Sequence, residues 1–417
     1  MGLFLYNLFL AFYHTGIRIA ALWNKKAAQW VNGRRTQKIS PLSSAQQTVW
    51  MHCASLGEFE QGRPVLEAVK QAYPNACIVL TFFSPSGYEI RKNYPGAHHV
   101  LYLPMDGPLA APKFVEQINP TLVLWVKYEY WYYYLSALKK RNIPVLLVSG
   151  IFRKEQPFFK WYGGFWKTIL QCFDHLFVQT EQSLSLLKHI IAPQQITVGG
   201  DTRFDRVASI AAGWKCDNAA MQKFCSGHKV IVAGSTWEED EEILIHYARI
   251  NPHIRFVFAP HEVGPERIND LKEEFPQALL YSQLIKMQAD EAIDAHVLII
   301  DNIGMLSSLY GYADIAYIGG GFNQSGIHNI LEAAVYGKPI VFGPVYQKFA
   351  EAVQLVTQQG AFSIENALEL EDVLNQLWSD ERSLQKAGKA NSNYVQLQCG
   401  ATAKIMDYIQ RNRLLTN

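Results

Sequence analysis

The sequence predicts an α/β protein of two domains, each a parallel sheet with helices on both faces. Three observations carry this. The chain has 417 residues, more than a single core usually serves. Apolar residues make up 49% and charged residues 18%, a globular composition with ample core. Short apolar runs alternate with helical patterns along most of the length, the order that gives parallel strands joined by crossover helices. Ligands in such folds bind beyond the carboxyl ends of the strands, so those ends are where functional residues are sought. The expected divisions are 1–38 for an apolar start with a basic flank, 48–200 for a first domain and 206–417 for a second.

Leu3 to Tyr13 is strongly apolar, interrupted only by Asn7, and His14 and Arg18 break its continuation. A spanning helix needs about 20 apolar residues, and this run is shorter. Its positive charge follows the apolar run, the reverse of a secretory signal. Arg18, Lys25, Lys26, Arg34, Arg35 and Lys38 precede Glu58, the first acidic residue, so the first 57 residues carry +6. Trp23 and Trp30 lie among these cations, a mixture suited to an interface with anionic lipid. The segment is expected to anchor the chain to a membrane surface, spanning it or lying flat. The alternative is a helix packed on the protein itself. The whole-chain charge of +1 argues against a general nucleic-acid binder. The six cysteines form no C-x-x-C pair, which favours reduced thiols.

Residues 39–47 are polar with Pro41 and read as a linker. Strands are then expected at Thr48–Cys53, Cys77–Phe82, His99–Leu103, Leu122–Val126, Val145–Val148, His175–Gln179 and Ile196–Val198, with helices between them. Ser55-Leu56-Gly57-Glu58 follows the first strand. There Glu58 either acts as a general base exposed to a crevice or complements a helix dipole. Lys127-Tyr128-Glu129-Tyr130-Trp131 ends another strand and joins an acid, a base and aromatic rings. It suits a sugar or lipid headgroup, or else forms interface core with a Lys127–Glu129 ion pair. A second aromatic patch, Phe158 to Trp166, is either core or lipid-facing.

Gly200-Asp201-Thr202-Arg203-Phe204-Asp205 leads into the second domain. Arg203 offers a fixed positive charge to a carboxylate or phosphate, or pairs with Asp205. Strand Val230–Ala233 leads to Ser235 and Thr236, which cap a helix or hold a phosphate. The acids Glu238–Glu242 read as a solvated helix face. Arg255–Phe258 leads to Pro260-His261, and Val297–Ile300 to Ile303-Gly304-Met305. Ile315–Ile318 leads to Gly319-Gly320-Gly321 and a helical pattern from about His328, carrying Asn329, Ile330, Leu331 and Glu332. Glycine permits close approach of a ligand, a helix start favours an anion, and Glu332 suits ribose hydroxyls. A plain strand-to-helix turn is the alternative. Four such ends on one rim raise the functional reading above that of any one alone. No D-x-D pair, no metal-spaced His/Cys set and no phosphate loop of the G-x-x-x-x-G-K type occurs.

In this order the motifs resemble the 3-deoxy-D-manno-octulosonic acid (Kdo) transferases along nearly the whole chain. The family's S-V-G-E looks like Ser55-Leu56-Gly57-Glu58, and its E-T-E-L-W is similar to Lys127-Tyr128-Glu129-Tyr130-Trp131. Its G-[SN]-x-K-F-D resembles Gly200 to Asp205, and its S-T-H-x-G-E-E resembles Ser235 to Glu241. Its P-R-H-P-E-R is similar to the stretch from Pro260-His261 to Arg267, its M-G-E-L to Ile303 to Leu306, and its G-G-H-N-P-L-E to Gly326 to Glu332. The resemblance implies a GT-B glycosyltransferase, two Rossmann-like domains facing across a cleft. It implies CMP-Kdo as donor and a lipid A precursor as acceptor at the cytoplasmic face of the inner membrane. The reaction would be inverting and need no metal or other cofactor. By that likeness Glu58 is the base, Arg203 replaces the family's lysine, and Glu129 matches a catalytic glutamate. Ser55, Gly57, Lys127 and Trp131 would meet the acceptor. The donor would meet Ser235, Thr236, Pro260, His261, Ile303 to Met305, Gly320, Gly321 and Asn329 to Glu332. Lys127, His261 and Met305 replace the family's glutamate, arginine and glutamate. The rival expectations are another GT-B enzyme using a UDP-sugar, a transferase or 2-epimerase, and an inert membrane-associated nucleotide binder.

Overall fold

A computed structural model describes residues 2–37, 47–288 and 291–416; apart from Gln47, the expected linker lies outside the described residues. The chain forms two compact units, Met1–Arg206 with Cys399–Asn417, and Val207–Gln398. Each contains a seven-stranded, wholly parallel sheet.

In the first unit the strands are β1 (Thr48–Cys53), β2 (Cys77–Phe82), β3 (His99–Tyr102), β4 (Leu122–Val126), β5 (Val145–Gly150), β6 (His175–Val178) and β7 (Ile196–Val198). They lie in the order β3-β2-β1-β4-β5-β6-β7. The central strands are buried throughout because both faces are covered. Alternate residues serve opposite faces: Trp50 and Trp125 pack on one, Val49, Met51, Leu122 and Leu124 on the other. The final helix, Ala401–Arg411, buries Ile405 and Ile409 against that second face. Residues 399–417 therefore join the first unit, and the expected second domain, 206–417, runs too far at its carboxyl end. Asp205 fastens this return, since its carboxylate accepts from the Gly400 and Thr402 N–H groups at 2.6 Å each.

The second unit holds β8 (Lys229–Thr236), β9 (Ile254–Pro260), β10 (Leu279–Leu280), β11 (Val297–Ile299), β12 (Ile315–Ile318), β13 (Ile340–Phe342) and β14 (Ala361–Ser363), in the order β10-β11-β9-β8-β12-β13-β14. In both sheets the chain travels outward from the first strand, then returns to that strand's other side. The return makes a switch point, between β1 and β4 in one unit and between β8 and β12 in the other, and ligands favour such points.

The amino terminus corrects one expectation. Among the described residues no helix is long and apolar enough to cross a membrane. Helix Gly2–Ala20 instead docks along one side on the first unit. Tyr6 and Leu10 are buried there, and the Tyr6 hydroxyl donates to Asp106 Oδ2 at 2.6 Å. Arg34 is not a lipid-facing cation. It stacks on Trp30 and donates to the carbonyls of Phe83 and Leu103. The other side of the first helix stays apolar and open, with Phe4 and Phe12 each 69% exposed.

Candidate functional site

The switch point of the first unit gathers the residues after β1 and β4. Helix Leu56–Ala72 starts two residues beyond β1, which puts Glu58 in its first turn. Glu58 is buried, and its Oε2 accepts the Ala54 N–H at 2.5 Å. Burial, with help from the charge of Glu129, pushes its carboxyl up to about 7; the Ala54 and Tyr128 N–H groups and Lys127 oppose that rise. A carboxyl near neutral pH can accept a proton from a substrate and release it again, as a general base must. Gly57 is exposed, and a Cβ added there would meet nothing, so the rim beside Glu58 is open.

Glu129 is held by two buried rings. Its Oε2 accepts from Trp131 Nε1 at 3.0 Å and lies 2.7 Å from His52 Nε2. Trp131 is itself buried against Phe83, so it orients Glu129 and offers little face to an acceptor. Lys127 has φ of 57° directly after β4. Ser149 (φ 53°) near the end of β5 and Ser235 (φ 54°) near the end of β8 share this left-handed backbone. Left-handed non-glycine residues are uncommon and cluster at functional sites. Ser149 uses the bend to reach Thr202 Oγ1 at 2.9 Å.

Arg203 pairs with Asp201: its Nε and Nη2 both lie 2.8 Å from Asp201 Oδ2. Tyr128 ties the cluster together. Burial raises its phenol, and the charges of Arg153, Glu58, Asp201 and Arg203 all act on it. His52, Tyr128, Arg153 and Asp201 were not singled out in the sequence. Of these, only Asp201 and Tyr128 stood inside a quoted motif.

The second unit assembles its rim from β8, β9, β11 and β12, which are contiguous in the sheet. The acidic run after β8 is solvated only in part: Glu238, Glu239 and Glu242 are exposed, but Asp240 and Glu241 are 1% and 2% exposed. Asp240 accepts from Trp237 N at 2.9 Å, Gly320 N at 2.7 Å and the Tyr317 hydroxyl at 3.0 Å. It thereby ties the helix start to the glycine turn across the switch point. Glu241 accepts from Thr236 Oγ1 at 2.6 Å and pairs with Arg267. Thr236 is thus committed to the protein, while Ser235 is half-buried at the rim.

The glycines have another cause than ligand approach. A Cβ at Gly319 would lie 2.2 Å from the Ser235 carbonyl oxygen, and one at Gly321 would lie 2.5 Å from Gly343 N. Gly320 has φ of +90°. The following helix is only Leu331–Ala334, shorter than the pattern from His328 suggested. Ile330 and Leu331 are buried in the core, so contact with a ligand there falls to Asn329 and Glu332, which hydrogen-bond each other at 3.0 Å. Ile303-Gly304-Met305 forms an open turn at the end of β11, with Ile303 86% exposed. Beside Pro260, His261 stacks on Trp237 and on His328 with ring centres 4.6 and 4.5 Å apart. Trp237 Nε1 donates to His328 Nε2 at 3.1 Å, and burial pushes His328 down to about 4, so that ring is neutral. The result is an aromatic shelf with an exposed His261 above it.

Comparison with known proteins places this architecture. A family model described as 3-deoxy-D-manno-octulosonic-acid transferase matches residues 29–206. Among curated proteins, the 3-deoxy-D-manno-octulosonic acid transferase of Haemophilus influenzae is 24% identical over 397 residues, covering 88% of each chain. That of Aquifex aeolicus is 25% identical over 357 residues, covering 84% of this chain and 91% of its own. Among solved structures, a UDP-GlcNAc 2-epimerase from Neisseria meningitidis superposes with a TM-score of 0.60 at 16% identity, covering 88% of this chain and all of that one. That likeness shows the fold. The likeness of the motifs to the Kdo transferases is borne out by the sequence relatives.

Proposed function

We propose that this relative of the Kdo transferases moves Kdo from CMP-Kdo to a hydroxyl of a lipid A precursor, with inversion and without a metal. Glu58 takes the proton as the acceptor oxygen bonds to the anomeric carbon. The bond from that carbon to the phosphate oxygen breaks, and CMP leaves with the electron pair. Arg203, oriented by Asp201, supplies positive charge for the departing phosphate. The β8–β12 rim, with His261, Asn329 and Glu332, holds the nucleotide. The observation that carries this reading is Glu58: a buried carboxyl raised to about 7, at a switch point, inside the stretch matched by the family model.

The acceptor is a lipid, and the open side of helix Gly2–Ala20 supports a place on the cytoplasmic face of the inner membrane. Phe4, Phe12, Leu22, Trp23 and Trp161 are 69 to 96% exposed, and Arg18, Lys25 and Lys26 are exposed nearby in sequence. Because Tyr6 pins the helix to Asp106, the helix lies flat in the interface. A calorimetric comparison of CMP with UDP tests the donor assignment. CMP should bind at least tenfold more tightly; tighter binding of UDP would transfer the chain to the UDP-sugar enzymes.

A further inference from the structure

Beneath the rim of the first unit runs a buried chain of polar groups that the transfer steps do not use. Trp50 Nε1, on β1, donates to Thr81 Oγ1, on β2, at 2.8 Å. Thr81 Oγ1 lies 2.9 Å from His52 Nδ1, and His52 Nε2 lies 2.7 Å from Glu129 Oε2. The His52 side chain is fully buried and that of Glu129 is 16% exposed.

The Thr81 oxygen accepts from Trp50 and has a second lone pair, and the hydroxyl also lies 3.4 Å from the Met51 carbonyl, so Thr81 can satisfy both Trp50 and His52. Glu129 is met by the ring nitrogens of His52 and Trp131, and its backbone carbonyl accepts from Trp125 Nε1.

We propose that His52 is a positioning residue: held by Thr81 on one ring nitrogen, it fixes the Glu129 carboxylate with the other. The inference rests on the transferase reading for its meaning, not for its test. Glu58 is faced by the Ala54 and Tyr128 N–H groups and by Lys127, which favour its ionised form, and by Glu129, which disfavours it. Burial is the larger cause of the raised Glu58 carboxyl; Glu129 adds to it, Lys127 opposes it, and His52 holds Glu129 in place.

The test compares His52→Gln with His52→Asn. A glutamine amide reaches the Nε2 position and can still donate to Glu129, whereas an asparagine amide stops at the Nδ1 position. The titration of Glu58 is followed by carbon NMR on the unliganded full-length protein with labelled glutamate, its signal assigned by loss in Glu58→Gln. His52→Gln should titrate close to wild type. His52→Asn should lower the Glu58 midpoint by about one unit, because Glu129, without its buried partner, turns to solvent. The acid limb of kcat/KM should move the same way. Equal midpoints in wild type and His52→Asn would overturn the proposal, and so would equal displacement in both variants. Should the histidine variants not fold, Thr81→Val, which removes only the hydroxyl, should give the same downward shift; an unchanged midpoint there overturns the proposal equally. A wild type that titrates as described but moves no Kdo would instead sink the transferase reading.

Discussion

Replacing Glu58 with glutamine should stabilise the protein above neutral pH while removing its chemistry. The carboxyl is raised from 4.5 to about 7, chiefly by burial. About 2.5 units at about 1.4 kcal/mol each is about 3 kcal/mol. The sign follows from linkage. The folded state holds this proton more tightly than the unfolded state, so the contribution is full below about pH 4.5 and is lost as pH rises through about 7. Glutamine never ionises and suffers no such loss. Its amide keeps an oxygen for the Ala54 N–H but loses the second acceptor, a cost of about 1 kcal/mol that does not vary with pH. Urea unfolding, followed by tryptophan fluorescence at a series of pH values, reads the difference between variant and wild type. Between about pH 4.5 and pH 8.5 that difference should swing by about 3 kcal/mol in the variant's favour. Turnover should fall by about a hundredfold or more. A difference that stays flat with pH would mean that Glu58 ionises as an ordinary surface acid, and its case as the base would fail.

Asp205→Ala removes the acceptor for the Gly400 and Thr402 N–H groups and should cost about 1–2 kcal/mol, seen as faster amide exchange across 401–411. Asp240→Asn replaces a buried carboxylate that accepts three hydrogen bonds. It should destabilise the second unit by about 1–3 kcal/mol and weaken CMP binding in calorimetry, with Glu58 titrating normally. Tyr6→Phe strips one of several donors from Asp106, a carboxyl that burial pushes up to about 6. Limited proteolysis should then cut within 2–20 faster than in wild type. Phe12→Ser combined with Trp161→Ser should lower binding to anionic vesicles by at least tenfold, since each buried ring contributes about 1.5–3 kcal/mol. Undiminished flotation of that double variant would rule out this face as the membrane contact.

The strands were legible because a parallel sheet covered on both faces writes itself as unbroken apolar runs, as in Leu122–Val126. Glu58 was legible by position, one turn past the first such run. His52 was not: it sits inside β1, and its partners Thr81 and Glu129 are 29 and 77 residues away. The burial of Asp240 and Glu241 inside the run Glu238–Glu242 was not legible, because groups that hold Asp240, such as the Gly320 N–H, lie up to 80 residues off. Gly319 to Gly321 marked a turn, and the close approach seen there is chain on chain. Left-handed Lys127, Ser149 and Ser235 carried no signal, because glycine and asparagine are the usual markers of that backbone. The first helix read as an anchor because hydropathy registers its open side, while the Tyr6–Asp106 bond that docks its other side spans 100 residues.

The most direct measurement is a product assay by mass spectrometry, with purified protein, CMP-Kdo and a lipid A precursor in detergent, run beside Glu58→Gln. The account expects the acceptor to gain the mass of one or more Kdo units with wild type and CMP to be released in step, with the variant at least a hundredfold slower. An unmodified acceptor with wild type, or a product formed equally well by Glu58→Gln, would contradict it.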